Sequence, residues 1–324
     1  MSLGTTTAAS GGRLDAQTPL TLDASHVSVS FRSPRGGWNT VVDSIGLGLE
    51  RSQVTVLLGE SGSGKTVFAR TITGMAHPAA RVDGTVEFDG VDLLTADRRA
   101  LRRLHGDRIG MVPQDPNSSL DPMRRIGGQI TETLLQHGKA PNRAAALARA
   151  TELLELVHIA DPERVLHNYP HEISGGMRQR VAIAIAICCE PELIIADEPS
   201  SALDASVGVQ VVRLLDDLRE RMETAILFIT HDIGIAALIA SKPHDRVAVM
   251  LGGRIVELGF AHQVLHNAQH EYTRALLAAE PSANTPRGAL AVVPDEVRMR
   301  RDWGPLRDIE PGHAVASTPQ EVTA

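Results

Sequence analysis

Apolar and polar positions change rhythm along this chain, and each rhythm predicts an element. Val27-Ser28-Val29-Ser30-Phe31 alternates with period two, the mark of a half-exposed strand. Arg32 to Asn39, with Pro34, Gly36 and Gly37, reads as a turn, and Val41 to Leu49 is strand-like again. Val54-Thr55-Val56-Leu57-Leu58 is continuous and β-branched, as a strand buried on both faces must be. A helical stretch to about Thr73 follows the glycine-rich segment after it. Further short strands are predicted at Gly84–Gly90, Arg108–Pro113, Leu193–Ala196, Ala225–Ile229, Val247–Leu251 and Ile255–Leu258. Asp115 to Cys189 is helical in character. Within it Asn142–His158 is rich in Ala, Leu, Arg and Glu, and Leu147, Leu153, Leu154 and Leu156 are expected to form its apolar stripe. Residues 1–20 are small and polar, which predicts a disordered leader rather than a signal peptide. The last 65 or so residues, broken by Pro281, Pro286, Pro294, Pro305 and Pro311, read as a small appended segment with a loose tail.

Three segments carry chemistry. Gly59-Glu60-Ser61-Gly62-Ser63-Gly64-Lys65-Thr66 fits G-x-x-x-x-G-K-[ST], between a buried strand and a helix. Its glycines let successive N–H groups turn toward phosphate oxygens at a helix N-terminus. Lys65 supplies a cation to the β/γ-phosphates, and the Thr66 hydroxyl suits Mg²⁺. Leu193-Ile194-Ile195-Ala196-Asp197-Glu198 is a buried strand ending in two carboxylates. One carboxylate can hold Mg²⁺ and the next can polarise water; seen alone, the pair would be an ordinary acidic turn. In Ile173-Ser174-Gly175-Gly176-Met177-Arg178-Gln179-Arg180, Ser174 can N-cap a helix whose glycine-bare first turn is open to an anion.

Composition narrows the reading. The 324 residues allow about two domains. With 32 Lys+Arg against 39 Asp+Glu the net charge is −7, which argues against a nucleic-acid binder that works by phosphate neutralisation. Lys occurs only at positions 65, 139 and 242, so Lys65 stands out. Aromatics are 3% of residues, so the core must be aliphatic and a nucleotide base has few partners. Phe31 and Trp38 are the aromatics upstream of the glycine-rich loop, and either can stack on the base. Cys188 and Cys189 are the only cysteines, which excludes a disulfide scaffold, fits a reducing, cytoplasmic compartment and reads as two small buried residues in a helix. The longest apolar run, Val181–Cys189, is far short of the ~20 residues of a membrane span. The Arg98-Arg99 and Arg102-Arg103 pairs read as a solvated helix face, and His171 as a surface residue.

On these residues the chain resembles the nucleotide-binding subunits of ATP-binding cassette (ABC) transporters. Ser174-Gly175-Gly176-Met177-Arg178-Gln179 is similar to the family's signature motif, which ordinary P-loop ATPases lack. Gln114 follows a strand as the Q-loop glutamine does, Ser201-Ala202-Leu203-Asp204 resembles the D-loop, and His231 follows a strand as the switch histidine does. More narrowly, Pro113–Pro122, Ile173–Ala186, Gly253–Gly259 and His270–Leu277 resemble segments of the oligopeptide/dipeptide/nickel importer ATPases. Many of those carry a late cysteine cluster for an iron–sulfur centre; this chain has no Cys after Cys189, so no such cluster is expected.

The resemblance implies an α/β fold: a P-loop NTPase (RecA-like) core, an antiparallel β portion, and an inserted helical subdomain over about 115–189. It divides the chain into a leader (1–20), a nucleotide-binding domain (21–260) and a C-terminal extension with a tail (261–324). It implies an ATPase that energises uptake of peptides, nickel chelates or similar solutes from the cytoplasmic face of the cell membrane. Expected partners are a second, identical or homologous ATPase subunit, two membrane permease subunits and, indirectly, an extracellular solute-binding protein. Lys65, Thr66 and Asp197 would bind phosphate and Mg²⁺, Gln114 would sense Mg²⁺ and water, Glu198 would polarise water and His231 would hold the γ-phosphate. Ser174, Gly175 and Gly176 would close on the nucleotide of the opposite subunit, beside Asp204. A soluble, non-transport ABC ATPase is the rival reading, weakened by the single cassette. A decayed, non-hydrolysing module is weakened by the presence of Lys65, Gln114, Glu198 and His231.

Overall fold

In the computed structural model the described residues are 20–34, 36–280, 293–300 and 303–317. The expected leader, Leu20 apart, lies outside them, as do the stretch around Pro286 and the last seven positions. The chain opens with β1 (Leu20–Arg32), β2 (Trp38–Glu50), β3 (Val54–Leu58), α1 (Lys65–Ile72), β4 (Ala80–Phe88), β5 (Val91–Asp92), α2 (Arg98–Leu104) and β6 (Ile109–Val112). Four helices follow: α3 (Ile126–Gln136), α4 (Arg143–Leu156), α5 (Pro162–His167) and α6 (Gly175–Ile187). The chain then returns through β7 (Leu193–Asp197), α7 (Ala205–Met222), β8 (Ala225–Thr230), α8 (Ile233–Ile239), β9 (Arg246–Leu251) and β10 (Arg254–Phe260). It continues through α9 (Ala261–His266), α10 (Glu271–Ala279), α11 (Asp295–Met299), β11 (Leu306–Glu310) and β12 (His313–Ala316).

Two sheets organise these elements. An antiparallel sheet has the order β2-β1-β4-β5, and a larger one the order β11-β12-β10-β9-β3-β8-β7-β6. In the larger sheet β9, β3, β8, β7 and β6 run parallel, and every residue of β3, β7, β8 and β9 is buried. That double-sided burial is why these segments are unbroken Val/Ile/Leu runs. One apolar cluster joins the antiparallel sheet to the larger one through Phe68, Ala69 and Ile72 of α1. Another carries the four-helix segment and the opposite face of the larger sheet.

Two expectations differ from the structure. Leu147 is exposed, and the stripe of α4 is made by Ala146, Ala150, Leu153 and Leu154. Leu147, one residue on from Ala146 and so about 100° round the helix, falls at the outer edge of that stripe. The Pro-rich end is also not loose over 306–316, because β12 pairs with β10 and β11 with β12. The anchor is fully buried: His313 Nε2 lies 2.8 Å from Glu257 Oε1, with both side chains inaccessible. As expected, the four arginines of α2 are exposed, and Cys188 and Cys189 are buried.

The larger sheet also depends on a buried carboxylate. Asp245 Oδ1 accepts from the Val54 N–H (3.0 Å) and from Arg219 Nη1 (2.9 Å), and Oδ2 accepts from the Lys242 N–H (2.8 Å). It fixes the start of β3 to the turn before β9. Asp245→Ala strands the Val54 N–H and takes one of two close carboxylates from the buried Arg219, which keeps Asp216, and is expected to lower unfolding stability by about 1–3 kcal/mol. Equilibrium urea unfolding checks this, and a loss below about 1 kcal/mol, the scale of an exposed pair, contradicts it.

Candidate nucleotide site

The parallel register decides which side chains meet. Leu58 pairs with Thr230, Asp197 with Ile229 and Val112 with Ala196, so β3, β8, β7 and β6 all end at one edge. The next residues of each strand therefore gather there: the loop 59–66, Asp197 and Glu198, Gln114, and His231. In open α/β sheets this carboxyl edge is where ligands bind.

The loop is gripped from both sides. Gly64 has φ +106°, and a Cβ there would sit 2.8 Å from the Val41 carbonyl oxygen of β2 and 2.9 Å from Met250 Cε of β9. The β9–β10 turn ties itself to both: Gly253 N donates to Ser63 O (3.0 Å), and Asp43 N donates to Gly253 O (2.8 Å). Lys65 is buried, and its Nζ donates to Gly59 O (2.7 Å) and Glu60 O (2.9 Å) across the loop. Ser61 and Gly62 stay exposed at the mouth, and the buried Ser63 Oγ has no partner.

Beside the loop, Thr66 Oγ1 donates to Asp197 Oδ1 at 3.1 Å. Burial pushes the Lys65 ammonium below its ordinary pKa, against the pull of Glu198, Asp197 and Glu60. Burial likewise raises the Asp197 carboxyl, against Thr66, Arg70 and Lys65. Both charged forms are thus disfavoured until an anion faces the lysine and a cation faces the aspartate. The donor set fits Mg²⁺: a hydroxyl and a carboxylate in contact, and a Gln114 amide whose nitrogen is turned to Glu198, which leaves its oxygen as a third hard ligand.

Glu198 is held from two sides. Its Oε2 accepts from Gln114 Nε2 (3.1 Å), and its Oε1 lies 3.1 Å from His231 Nδ1. Its backbone is left-handed (φ +46°), a strain of about 1–3 kcal/mol for a side chain of this kind. The Glu198 N–H donates to Ile229 O, and Ser201 N and Oγ donate to its carbonyl. This turn ends the alternation of β7, so both adjacent carboxylates reach the site instead of pointing to opposite faces of the sheet.

The signature segment and Asp204 form a second cluster. Ser174 caps α6, its Oγ accepting from Met177 N (3.3 Å), and Asp204 caps α7 from Val207 N (3.0 Å). Ser206 Oγ also donates to Asp204 and, with Val207 N, holds its pKa below the usual carboxylate range. The two helix starts touch: a Cβ on Gly176 would lie 2.8 Å from Val207 Cγ1, whereas Gly175 is open. The hydrogen bonds of Ser174 and Asp204 stay within their own turns. One buried side chain links the two clusters, since Gln179 Nε2 of α6 donates to Pro113 O, next to Gln114. The two aromatic candidates separate as well. Arg32 pairs with Trp38 and Phe31 with Asn39, so the rings leave opposite faces of the ladder. Trp38 is 53% exposed, whereas Phe31 packs on the apolar cluster with its ring 6.0 Å from His77.

Sequence reasoning missed the supports of the loop: Val41, Met250, Gly253 and Tyr272, whose hydroxyl accepts from Glu60 N (3.3 Å). A Gly252-Gly253 pair between two strands was a readable hairpin signal; nothing in the pattern marks a tyrosine more than 200 residues from the loop it touches.

Residues 42–201 match the family model described as "ABC transporter". The chain is 40% identical to the dipeptide transport ATP-binding protein DppD of Lactococcus lactis subsp. cremoris (strain MG1363), over 84% of this chain and 77% of that protein. It is 41% identical to the oligopeptide transport ATP-binding protein OppD of Bacillus subtilis (strain 168), over 81% and 72% respectively. Among solved structures it is similar, with a TM-score of 0.65 and 26% identity, to a dimeric post-hydrolysis state of the ATP-binding cassette MJ0796 bound to ADP and Pi, covering 74% of this chain and 98% of that one.

Gly64→Ala places a side chain where φ and the Val41 carbonyl both forbid one. Nucleotide affinity is expected to fall by about tenfold or more, from left-handed strain alone. A direct ATP titration of the folded variant checks it, and unchanged affinity contradicts the grip described above.

Proposed function

The chain belongs to the ABC transporter family of ATP-binding proteins, and from that premise we propose that it hydrolyses ATP to drive peptide uptake through separate membrane permease subunits. The observation that carries the catalytic part is Glu198, held between Gln114 and His231 next to the Thr66–Asp197 contact. The transport names of the relatives carry the peptide part.

In this reading the N–H groups of the loop, with Lys65, bind the phosphates of ATP from one side. Thr66, Asp197 and Gln114 would hold Mg²⁺, which neutralises charge on the β/γ-phosphates. Glu198 orients and accepts a proton from the attacking water, and His231 bonds the γ-phosphate. Such catalysis is positioning and electrostatics rather than covalent chemistry. Phe31 is the adenine platform, because its ring is already fixed by packing and so loses little freedom on stacking.

Ser174, Gly175 and Gly176 act on the nucleotide of a second ATPase subunit. Their cluster makes no hydrogen bond to the chain's own phosphate loop among the described residues, and a helix start with Ser and two glycines needs a phosphate brought to it. Asp204, capping the helix that abuts Gly176, steers that contact. The assembled complex has two permease subunits and an external solute-binding protein, with this chain at the cytoplasmic face. Among the described residues no helix is long and apolar enough to cross a membrane.

Glu198→Gln should bind ATP yet turn over ~10²–10⁴ times more slowly, the range for a lost general base. In membrane vesicles holding the assembled transporter it should also stop ATP-dependent uptake of a labelled oligopeptide. Near-normal turnover sinks the catalytic assignment, and wild-type uptake of a nickel chelate but not of peptide sinks the substrate.

The opposite-subunit assignment has its own test in mixed dimers carrying Ser174→Arg and Lys65→Ala. Placed on different subunits, the two changes disable one composite site and spare the other, so turnover persists. Placed on one subunit, they disable both sites. Equal ATPase rates for the two arrangements contradict the assignment.

A further inference from the structure

Helix α10 lies far beyond β7 and its two carboxylates in sequence, yet it reaches the site at two points. At its start, Tyr272 is fully buried and accepts the Glu60 N–H at 3.3 Å. Lys65 Nζ bonds the carbonyl of the same residue, so the Glu60 backbone is held on both sides of its Cα. At the end of α10, Glu280 accepts from the Gly234 N–H, three residues after His231. The helix is seated by Tyr272 and Leu276, which belong to the same apolar cluster as Ile233 and Ala236 of α8. Its N-terminus is fixed by Glu257, whose oxygens accept from Gln269 N (2.7 Å) and His270 N (3.1 Å).

We infer that Tyr272 is a positioning residue for ATP binding, through which α10 holds the entrance of the phosphate loop in its nucleotide-ready shape. Glu60 is the second residue of the loop, and its N–H faces the tyrosine hydroxyl in the interior rather than the exposed mouth formed by Ser61 and Gly62. A loop that must aim several N–H groups at once gains from having its first turn fixed before the ligand arrives. Without the hydroxyl the Glu60 N–H loses its partner, and the loop must find another arrangement. The effect is on the free loop, so it falls on affinity and not on the chemical step.

The inference rests on the phosphate-loop reading, and the experiment separates the two. Full-length Tyr272→Phe, which keeps the ring and removes only the hydroxyl, is titrated with ATP and assayed for hydrolysis. Expected are a Kd and a KM for ATP raised about three- to tenfold, the scale of one lost hydrogen bond. The kcat should stay within about twofold, and the melting temperature of the nucleotide-free chain should fall by no more than the roughly 2–4 °C that one hydrogen bond is worth. An unchanged Kd overturns the inference, and so does a lower melting temperature with unchanged Kd, the result of a purely structural role. Lys65→Ala runs beside it. Lost ATP binding there with unchanged Kd in Tyr272→Phe removes the role of Tyr272 alone, whereas normal ATP binding in Lys65→Ala removes both readings. If Tyr272→Phe does not fold, amide exchange in the nucleotide-free wild type answers the same question. A protected Glu60 amide supports the inference and a freely exchanging one overturns it.

Discussion

The site exists because four buried parallel strands end in register. Pairing of Leu58 with Thr230, Asp197 with Ile229 and Val112 with Ala196 sets the phosphate loop, the two carboxylates, Gln114 and His231 on one edge. A one-residue slip would turn each strand's side chains to the other face. Here both faces are apolar, so side-chain pattern alone does not forbid the slip. The register is pinned instead by polar anchors at the strand ends, with Asp245 holding Val54 and the left-handed turn at Glu198 bonded to Ile229 and Ser201.

The same architecture explains why the site stores opposed charges. Lys65 and Asp197 both lie in surroundings that penalise their ionised forms, and in this state each makes do with internal partners. In the proposed reading, an arriving nucleotide with its cation would replace carbonyl and hydroxyl contacts by full charges. Binding energy is then spent on completing a site whose parts are already placed, rather than on moving them.

Much of this was legible in the sequence because the physics there is local. A glycine-rich turn between a buried strand and a helix, two carboxylates closing an apolar run, and Ser-Gly-Gly opening a helix each specify their own backbone. Legibility failed where an element is defined by a distant neighbour. Leu147 looked like core by composition but sits off the stripe that Ala146 and Ala150 occupy. His313–Ala316 has too few residues to announce a strand, and is one because β10 offers an edge and Glu257 a buried partner. Tyr272 lies in a segment that resembles the importer ATPases, but nothing local says what it touches, and its meaning comes from the loop it reaches.

The position of β3 also sets a schedule for synthesis. It is flanked by β8 and β9, so its hydrogen-bonding partners are residues 226–230 and 246–249, made long after Val54–Leu58 leaves the ribosome. At ~5–20 residues per second the wait is on the order of ten seconds or more. Throughout it, the most hydrophobic strand of the core has no sheet to join, and the loop behind it lacks Met250, Gly253 and Tyr272. Nucleotide therefore cannot help the nascent chain fold from its N-terminal end. The cassette closes late and from behind, and until then both edges of that strand are open to pairing with another chain.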